Sequence, residues 1–264
     1  MISVRNLSYA VGGTPILSEV TVDIVPGRIT ALIGPNGAGK STLLAQMARL
    51  LRPDTGNVTL DGTDVHQVPT GDLARRLAIL RQEQGQPSRM TVRELVGFGR
   101  FPHHRGRVTA RDRTHVDTAL ERLSLTEFAG RYFDTLSGGQ KQRVLIAMVL
   151  CQDTEVVLLD EPMNNLDPAQ VQVVMGAVDH MSQALGKTVV VVLHDLNHAA
   201  GLASQVVAMK AGRVFAKGET DRILNRPLLE RLYDAAFDVL RHDGRPIVVP
   251  KAGNDVSPAL NVCP

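Results

Sequence analysis

Eight residues, GPNGAGKS at Gly34–Ser41, decide most of what this sequence can become. They fit the pattern G-x-x-x-x-G-K-[S/T]. They also stand between a buried strand pattern, RITALIG, and a helical one, KSTLLAQMARLL, which is the setting that gives the pattern meaning. Gly34, Gly37 and Gly39 let backbone N–H groups turn inward around phosphates, with Pro35, Asn36 and Ala38 completing the loop. Lys40 is placed to reach the β- and γ-phosphates, Ser41 to offer its hydroxyl to Mg²⁺, and Thr42 to make a further phosphate contact. An ordinary glycine-rich βα turn is the alternative, and the strand and helix on either side tell against it.

A second segment supplies the other half of such a site. VVLLDEP reads as a hydrophobic strand that carries Asp160 to its carboxyl end, where open α/β sheets bind ligand. Asp160 can hold Mg²⁺ through water. Glu161 is a carboxylate able to orient and deprotonate an attacking water. His194 follows the apolar run TVVVVL and so belongs on the same sheet edge, either as a γ-phosphate contact or as a helix-capping or core-edge histidine. His198, four residues on, reads as structural.

A third segment, TLSGGQKQR at Thr135–Arg143, raises a question. It reads as a loop opening a helix, with Ser137 as the cap and two glycines leaving the backbone bare. A helix start gathers free N–H groups and the positive end of a dipole, and so suits an anion. The chain already has a stronger phosphate loop a hundred residues earlier.

Composition narrows the choices. With 264 residues, 44% of them hydrophobic, the chain can bury one domain or two tightly joined subdomains. Its 29 basic and 27 acidic residues nearly balance, and aromatics are sparse with no Trp, so neither a polyanion-binding charge nor base-stacking platforms are expected, and nucleic acid is not an expected partner. Cys151 and Cys263 are far apart, which suggests no disulfide framework and fits a reducing cytosol; Cys151 sits in an apolar run and reads as core. No secretory leader pattern opens the chain, and no window approaches 18 uninterrupted apolar residues. A role at a membrane would therefore come through a partner.

The periodicities organise the rest. Short strands and turns are expected up to about residue 33, another strand and turn at GNVTLDG, and a helix passing into a strand at DLARRLAILRQ. Residues 83–151 read as helices and loops. The all-apolar runs EVVLLDE and TVVVVLHD suit parallel strands covered on both faces. RVFAKGETDRILN reads as a closing strand, turn and helix, and 251–264 as a mobile tail. This gives one domain over 1–264: an α/β core from 1–82 and 152–250, with a helical subdomain at 83–151 that carries the second loop.

GPNGAGKS, then LSGGQ, then LLDE, then a strand-end histidine: this order closely resembles the ATP-binding subunits of ABC transporters, over nearly the whole chain. LSGGQ is the most specific element, because other P-loop ATPases and kinases lack it. The resemblance implies a P-loop NTPase (RecA-like) core with an N-terminal antiparallel β subdomain and an inserted α-helical subdomain. It implies that Tyr9 stacks on adenine and that Gln82, at the junction of core and helical lobe, contacts Mg²⁺ and the reacting water; Gln84 and Gln86 are close rivals for that register. Asp167 in MNNLD matches the loop after the acidic strand, although Met163, Asn164 and Asn165 depart from the Thr-Ser-Ala common there. It also answers the question of the second loop. Family members pair head to tail, so Ser137, Gly138, Gly139 and Gln140 would close over the ATP held by the partner copy. Integral membrane permease subunits, and indirectly a substrate-binding protein, would be the other partners, with this chain peripheral on the cytoplasmic face of the membrane.

GFGRFPHH at Gly97–His104 and the ending LLERLYDAAFDVLRHDGRPIVVP are similar to importers of iron-siderophore complexes, haem and cobalamin. GFGRFPHH also reads as a plain helix end. Arg100, His103, His104, Arg105, Arg107, Arg111 and Arg113 read first as a solvated face of the helical lobe. The second reading is a docking face for cytoplasmic loops of the permease. Soluble DNA-repair ATPases would need long coiled-coil insertions between the loops, translation-type factors two such modules in one chain, and exporter half-transporters fused membrane helices; none is visible in the sequence.

Overall fold

The computed structural model describes residues 1–81, 89–104 and 106–251. Gln82 and its rivals Gln84 and Gln86, together with Arg105, Cys263 and the expected tail from 252 onward, lie outside the described residues.

Two long strands open the chain, β1 (Ile2–Val11) and β2 (Thr14–Asp23), turning at Gly12–Gly13. The fully buried β3 (Ile29–Ile33) leads through the phosphate loop into α1 (Lys40–Met47). Next come β4 (Thr55–Leu60) and β5 (Thr63–Asp64). α2 (Thr70–Arg76) passes directly into β6 (Leu77–Leu80), as DLARRLAIL suggests. Four helices follow: α3 (Val92–Phe98), α4 (Phe101–His104), α5 (Ala110–Arg122) and α6 (Gly138–Gln152). Strands and helices then alternate through β7 (Val156–Asp160), α7 (Pro168–Gln183), β8 (Thr188–Val192), α8 (Leu196–Leu202) and β9 (Gln205–Lys210). The chain closes with β10 (Arg213–Glu219), α9 (Thr220–Ile223), α10 (Arg226–Tyr233), β11 (Phe237–His242) and β12 (Arg245–Pro250).

Three sheets result. β2-β1-β4-β5 is antiparallel. The central sheet runs β10-β9-β3-β8-β7-β6, parallel from β9 to β6, with β10 antiparallel at its edge. Its strands β3, β7 and β8 are buried at every position, which is why their sequences run apolar without alternation. The α/β expectation thus holds, with the antiparallel sheet and helical lobe where the resemblance put them. β11 and β12 form a separate hairpin that the sequence reading did not single out. Asn197 on α8 holds it: its amide donates to Val248 O at 3.1 Å and accepts from Val248 N at 2.8 Å.

Two hydrophobic clusters meet on the central sheet. One fills the space between α1 and the antiparallel sheet; the other runs from the opposite face into the helical lobe. The sheet is therefore fixed from both sides, and the loops at the carboxyl ends of its adjacent strands β3, β8 and β7 are held in one row.

Candidate functional site

Those three strand ends carry the chemistry. The phosphate loop follows β3, Asp160 ends β7, and His194 comes two residues after β8. Asn36–Thr42 line a cavity of about 840 Å³ together with Ile16, Glu161, Asn164, Asn165 and His194. Gly34 and Pro35 lie at its base, where their carbonyls accept hydrogen bonds from Lys40 Nζ at 2.8 and 2.9 Å. Gly34 has to be glycine: at φ 142° a Cβ would stand 2.1 Å from the Met209 carbonyl oxygen.

Lys40 is only 5% exposed. Burial lowers the pKa of its ammonium, against the pull of Glu161 and Asp160. Asp160 is raised above the usual carboxylate range, chiefly by burial and further by Glu161, while the Ser41 hydrogen bond, His194 and Lys40 oppose the rise. Ser41 Oγ donates to Asp160 Oδ1 at 2.9 Å. A hydroxyl and a buried carboxylate side by side are the oxygen pair that a hard divalent cation takes when phosphates and waters complete its shell, so these residues fit Mg²⁺.

Glu161 is gripped from both sides. His194 Nε2 meets its Oε1, and Asn164 Nδ2 donates to its Oε2. Its backbone sits in the left-handed region at φ 50°, an unusual conformation for a glutamate, of the kind that concentrates at functional sites. His194 thus touches the carboxylate and does not cap the next helix, whose N-cap is Asp195. His198 lies on that helix, 4.0 Å from Asp195. Asn164 is the contact the sequence reading missed; the NN of MNNLD was noted there only as a departure. Tyr9 lies on β1 opposite Leu17 and packs against the N-terminal core, while Ile16 is the apolar residue in the cavity wall.

The second loop is elsewhere. Ser137 caps α6 in a reciprocal box: its hydroxyl accepts from Gln140 N at 3.3 Å, and Gln140 Oε1 accepts from Ser137 N at 3.0 Å. Gly139 packs on Gln170 of α7, and Asp167 caps α7 by accepting from Gln170 N at 2.9 Å. None of Ser137–Gln140 is among the residues lining the cavity.

The family model described as ABC transporter matches residues 17–164, more than half of the chain. The chain belongs to this family. The petrobactin import ATP-binding protein YclP of Bacillus subtilis (strain 168) is 41% identical over 249 residues, 94% of this chain and 99% of that protein. The ferric enterobactin transport ATP-binding protein FepC of Escherichia coli (strain K12) is 39% identical, covering 93% of this chain and 92% of that one. Among solved structures, an ABC transporter in an inward-facing conformation matches with a TM-score of 0.81 at 28% identity, over 95% of this chain and 97% of that one. The dimeric ATP-binding cassette MJ0796 bound to ADP and Pi matches at 0.75 with 28% identity, over 83% and 99%. The cassette is an ATPase of the family, and the cavity at the β3, β7 and β8 ends brings together Asn36–Thr42, Glu161 and His194. No helix among the described residues is long and apolar enough to cross a membrane.

Proposed function

We propose that this ABC cassette hydrolyses Mg²⁺-ATP to drive uptake of ferric siderophores, working as a head-to-tail pair beneath membrane permease subunits. The observation that carries the pairing is the one-sided cavity. Asn36–Thr42, Glu161 and His194 line the cavity, while none of the capped helix start at Ser137–Gln140 does. A second copy, turned end for end, would bring its α6 start over this cavity and complete the anion's surroundings. That the MJ0796 cassette is dimeric supports pairing of two copies. ATP then favours the closed pair, and its loss releases it.

In this reading Lys40 would leave the Gly34 and Pro35 carbonyls for the β- and γ-phosphates, while Ser41 and Asp160 would hold the metal. Bound there, Mg²⁺ would draw charge off the phosphates. Glu161 takes a proton from the attacking water, and His194 and Asn164 fix the carboxylate's orientation for that transfer. Tyr9 supplies a face for adenine and Gln82 closes the site from the lobe junction. Asp167 meets the partner copy.

The ferric-siderophore assignment rests on the relatives named for petrobactin and ferric enterobactin, and on GFGRFPHH; haem and cobalamin have no such support among them. The permease would hold the chain at the cytoplasmic face of the membrane, with a substrate-binding protein delivering cargo on the far side. A groove of about 440 Å³ on the helical lobe suits the permease's cytoplasmic segment. Phe98 and Phe101 are 56% and 55% exposed there, which calls for an apolar anchor.

The deciding experiment is the solution mass of Glu161→Gln with and without Mg²⁺-ATP. A nucleotide-dependent shift from monomer to dimer is expected. A variant that binds ATP yet stays monomeric, even with permease present, would overturn the paired site. For cargo, a strain lacking this chain should fail to take up radiolabelled ferric siderophore; unchanged uptake would remove the assignment.

A further inference from the structure

The first peptide of the phosphate loop is held by a residue from the far end of the chain. Gly34 N–H donates to the Tyr233 hydroxyl at 3.1 Å, across 199 residues of sequence. Gly34 lies close against β9, since the Met209 carbonyl occupies the space a side chain would need. Lys210, next to Met209 on β9, donates to Arg231 O and, at 2.8 Å, to Asp234 Oδ1. Those two groups flank Tyr233 at the end of α10, so strand and helix are tied together beneath the loop. The Tyr233 ring stands edge-on to Phe237 of the C-terminal hairpin, with centroids 5.8 Å apart. Burial pushes the phenol up to about 12, so the hydroxyl stays neutral across the physiological range.

Gly34 is thus held at both ends, its N–H by Tyr233 and its C=O by Lys40. The two holds are not equivalent. Lys40 is the residue that must turn to the phosphates, and when it does the Gly34 and Pro35 carbonyls lose their donor. Tyr233 is not among the residues lining the cavity, so phosphate binding does not call its hydroxyl away from Gly34. We propose that Tyr233 is a positioning residue for nucleotide binding: its hydroxyl fixes the first peptide of the phosphate loop from behind while Lys40 is engaged with phosphate, which makes the α10–hairpin module a determinant of ATP affinity. This rests on reading Gly34–Thr42 as the phosphate loop.

Tyr233→Phe keeps the ring and removes the acceptor. Full-length protein should bind Mg²⁺-ATP about tenfold more weakly, the size expected when a buried N–H loses its partner (about 1.4 kcal/mol). Hydrogen exchange at the Gly34 amide should speed up more in ATP-bound than in nucleotide-free protein, because only in the bound state has Lys40 left the Gly34 carbonyl. A purely structural tyrosine would lower the melting temperature and leave the ATP Kd and the Gly34 exchange ratio between bound and free protein unchanged, and that result would overturn the proposal. Lys210→Met is the second variant, slackening the same support from outside and expected to weaken ATP binding in the same direction by a smaller factor; wild-type affinity in both variants refutes the clamp. Lys40→Ala is the control. If it binds ATP as tightly as wild type, the phosphate-loop reading itself has failed, which is a different outcome from failure at Tyr233 alone.

Discussion

Replacing Asp112 by Asn should cost the protein about 3 kcal/mol, far more than a change of one atom on a surface helix would. Asp112 and Arg100 form an ion pair at 3.0 Å, with side chains 6% and 5% exposed. Each carboxylate oxygen is occupied: Oδ1 accepts from Arg100 Nε, and Oδ2 accepts from the Thr109 N–H and hydroxyl at 2.9 and 2.6 Å. Removing one partner of a buried pair strands the other charge, at a cost of about 3–5 kcal/mol. The lower end applies because Arg100 Nη1 would keep the Cys151 and Gln152 carbonyls at 3.1 and 3.5 Å. For a chain of this size that corresponds to a loss of roughly 6–12 °C in Tm, read by thermal melts and urea titration.

The pH dependence has a definite sign. The Thr109 hydroxyl, then the Thr109 N–H and Arg100, hold Asp112 well below the usual carboxylate range against the opposing effect of burial. A depressed folded value means that its contribution is fully present above the unfolded value of about 3.9 and is lost as pH falls below it toward the folded one. The gap between wild type and Asp112→Asn should therefore be constant from about pH 5 to 8 and close in stronger acid. The double variant Arg100→Met, Asp112→Leu should recover most of the loss, because no charge is then left buried. A loss under about 1 kcal/mol for Asp112→Asn would put the pair in the class of exposed bridges and refute the reasoning.

Lys40→Ala should weaken Mg²⁺-ATP binding by roughly 100-fold in equilibrium titration, since a buried charge-assisted contact to phosphate is lost. Ser137→Arg should leave nucleotide binding by the single chain within about twofold and abolish nucleotide-driven dimers in a Glu161→Gln background, measured by solution mass; normal dimers would show that α6 does not cover the partner's site. Gly139→Ala places a Cβ 1.6 Å from Gln170 Oε1, so it should destabilise by about 1–3 kcal/mol, and Gln170→Ala should relieve most of that in a double-mutant cycle.

What the sequence disclosed was local chemistry. GPNGAGKS and VVLLDEP carry their function within eight and seven residues, and each strand end is marked by the residue where the apolar run stops. His194 could be placed beside them because TVVVV can only be a buried parallel strand. Contacts that join distant segments left no such mark. Tyr233 reaches Gly34 across most of the chain, and nothing near either residue announces it. Arg100 reads among the basic residues of 100–113 as one more solvated cation, yet it is 4% exposed and knits α4, α5 and α6 together. Gly99 beside it has the same origin, since a Cβ there would meet the Met148 carbonyl at 2.2 Å. Gly99 and Arg100 of the importer-like segment therefore also serve the packing of the helical lobe. The C-terminal hairpin did have a signal: Asp243 and Gly244 take the two positive φ values, 49° and 77°, of a two-residue turn, and the DG pair in RHDGRP is its usual sequence.

The two glycines of LSGGQ now separate into different tasks. A side chain at Gly138 would meet nothing within 4 Å in this chain, so packing within the chain does not require a glycine there. A side chain at Gly139 would strike Gln170, so that position is bare for the benefit of α7. Gln170 Oε1 is buried there without a hydrogen-bond partner, and its own N–H is the group that Asp167 caps. The start of α6 and the start of α7 are consequently packed as one piece, with Gly138 at its open face and Asp167 at its edge. Gln142 Nε2 extends the piece by donating to Pro162 O at 3.2 Å, next to Glu161. The helix start at Ser137–Gln140 is thereby linked, through Gln170 and Gln142, to the loop after β7 that bears Glu161.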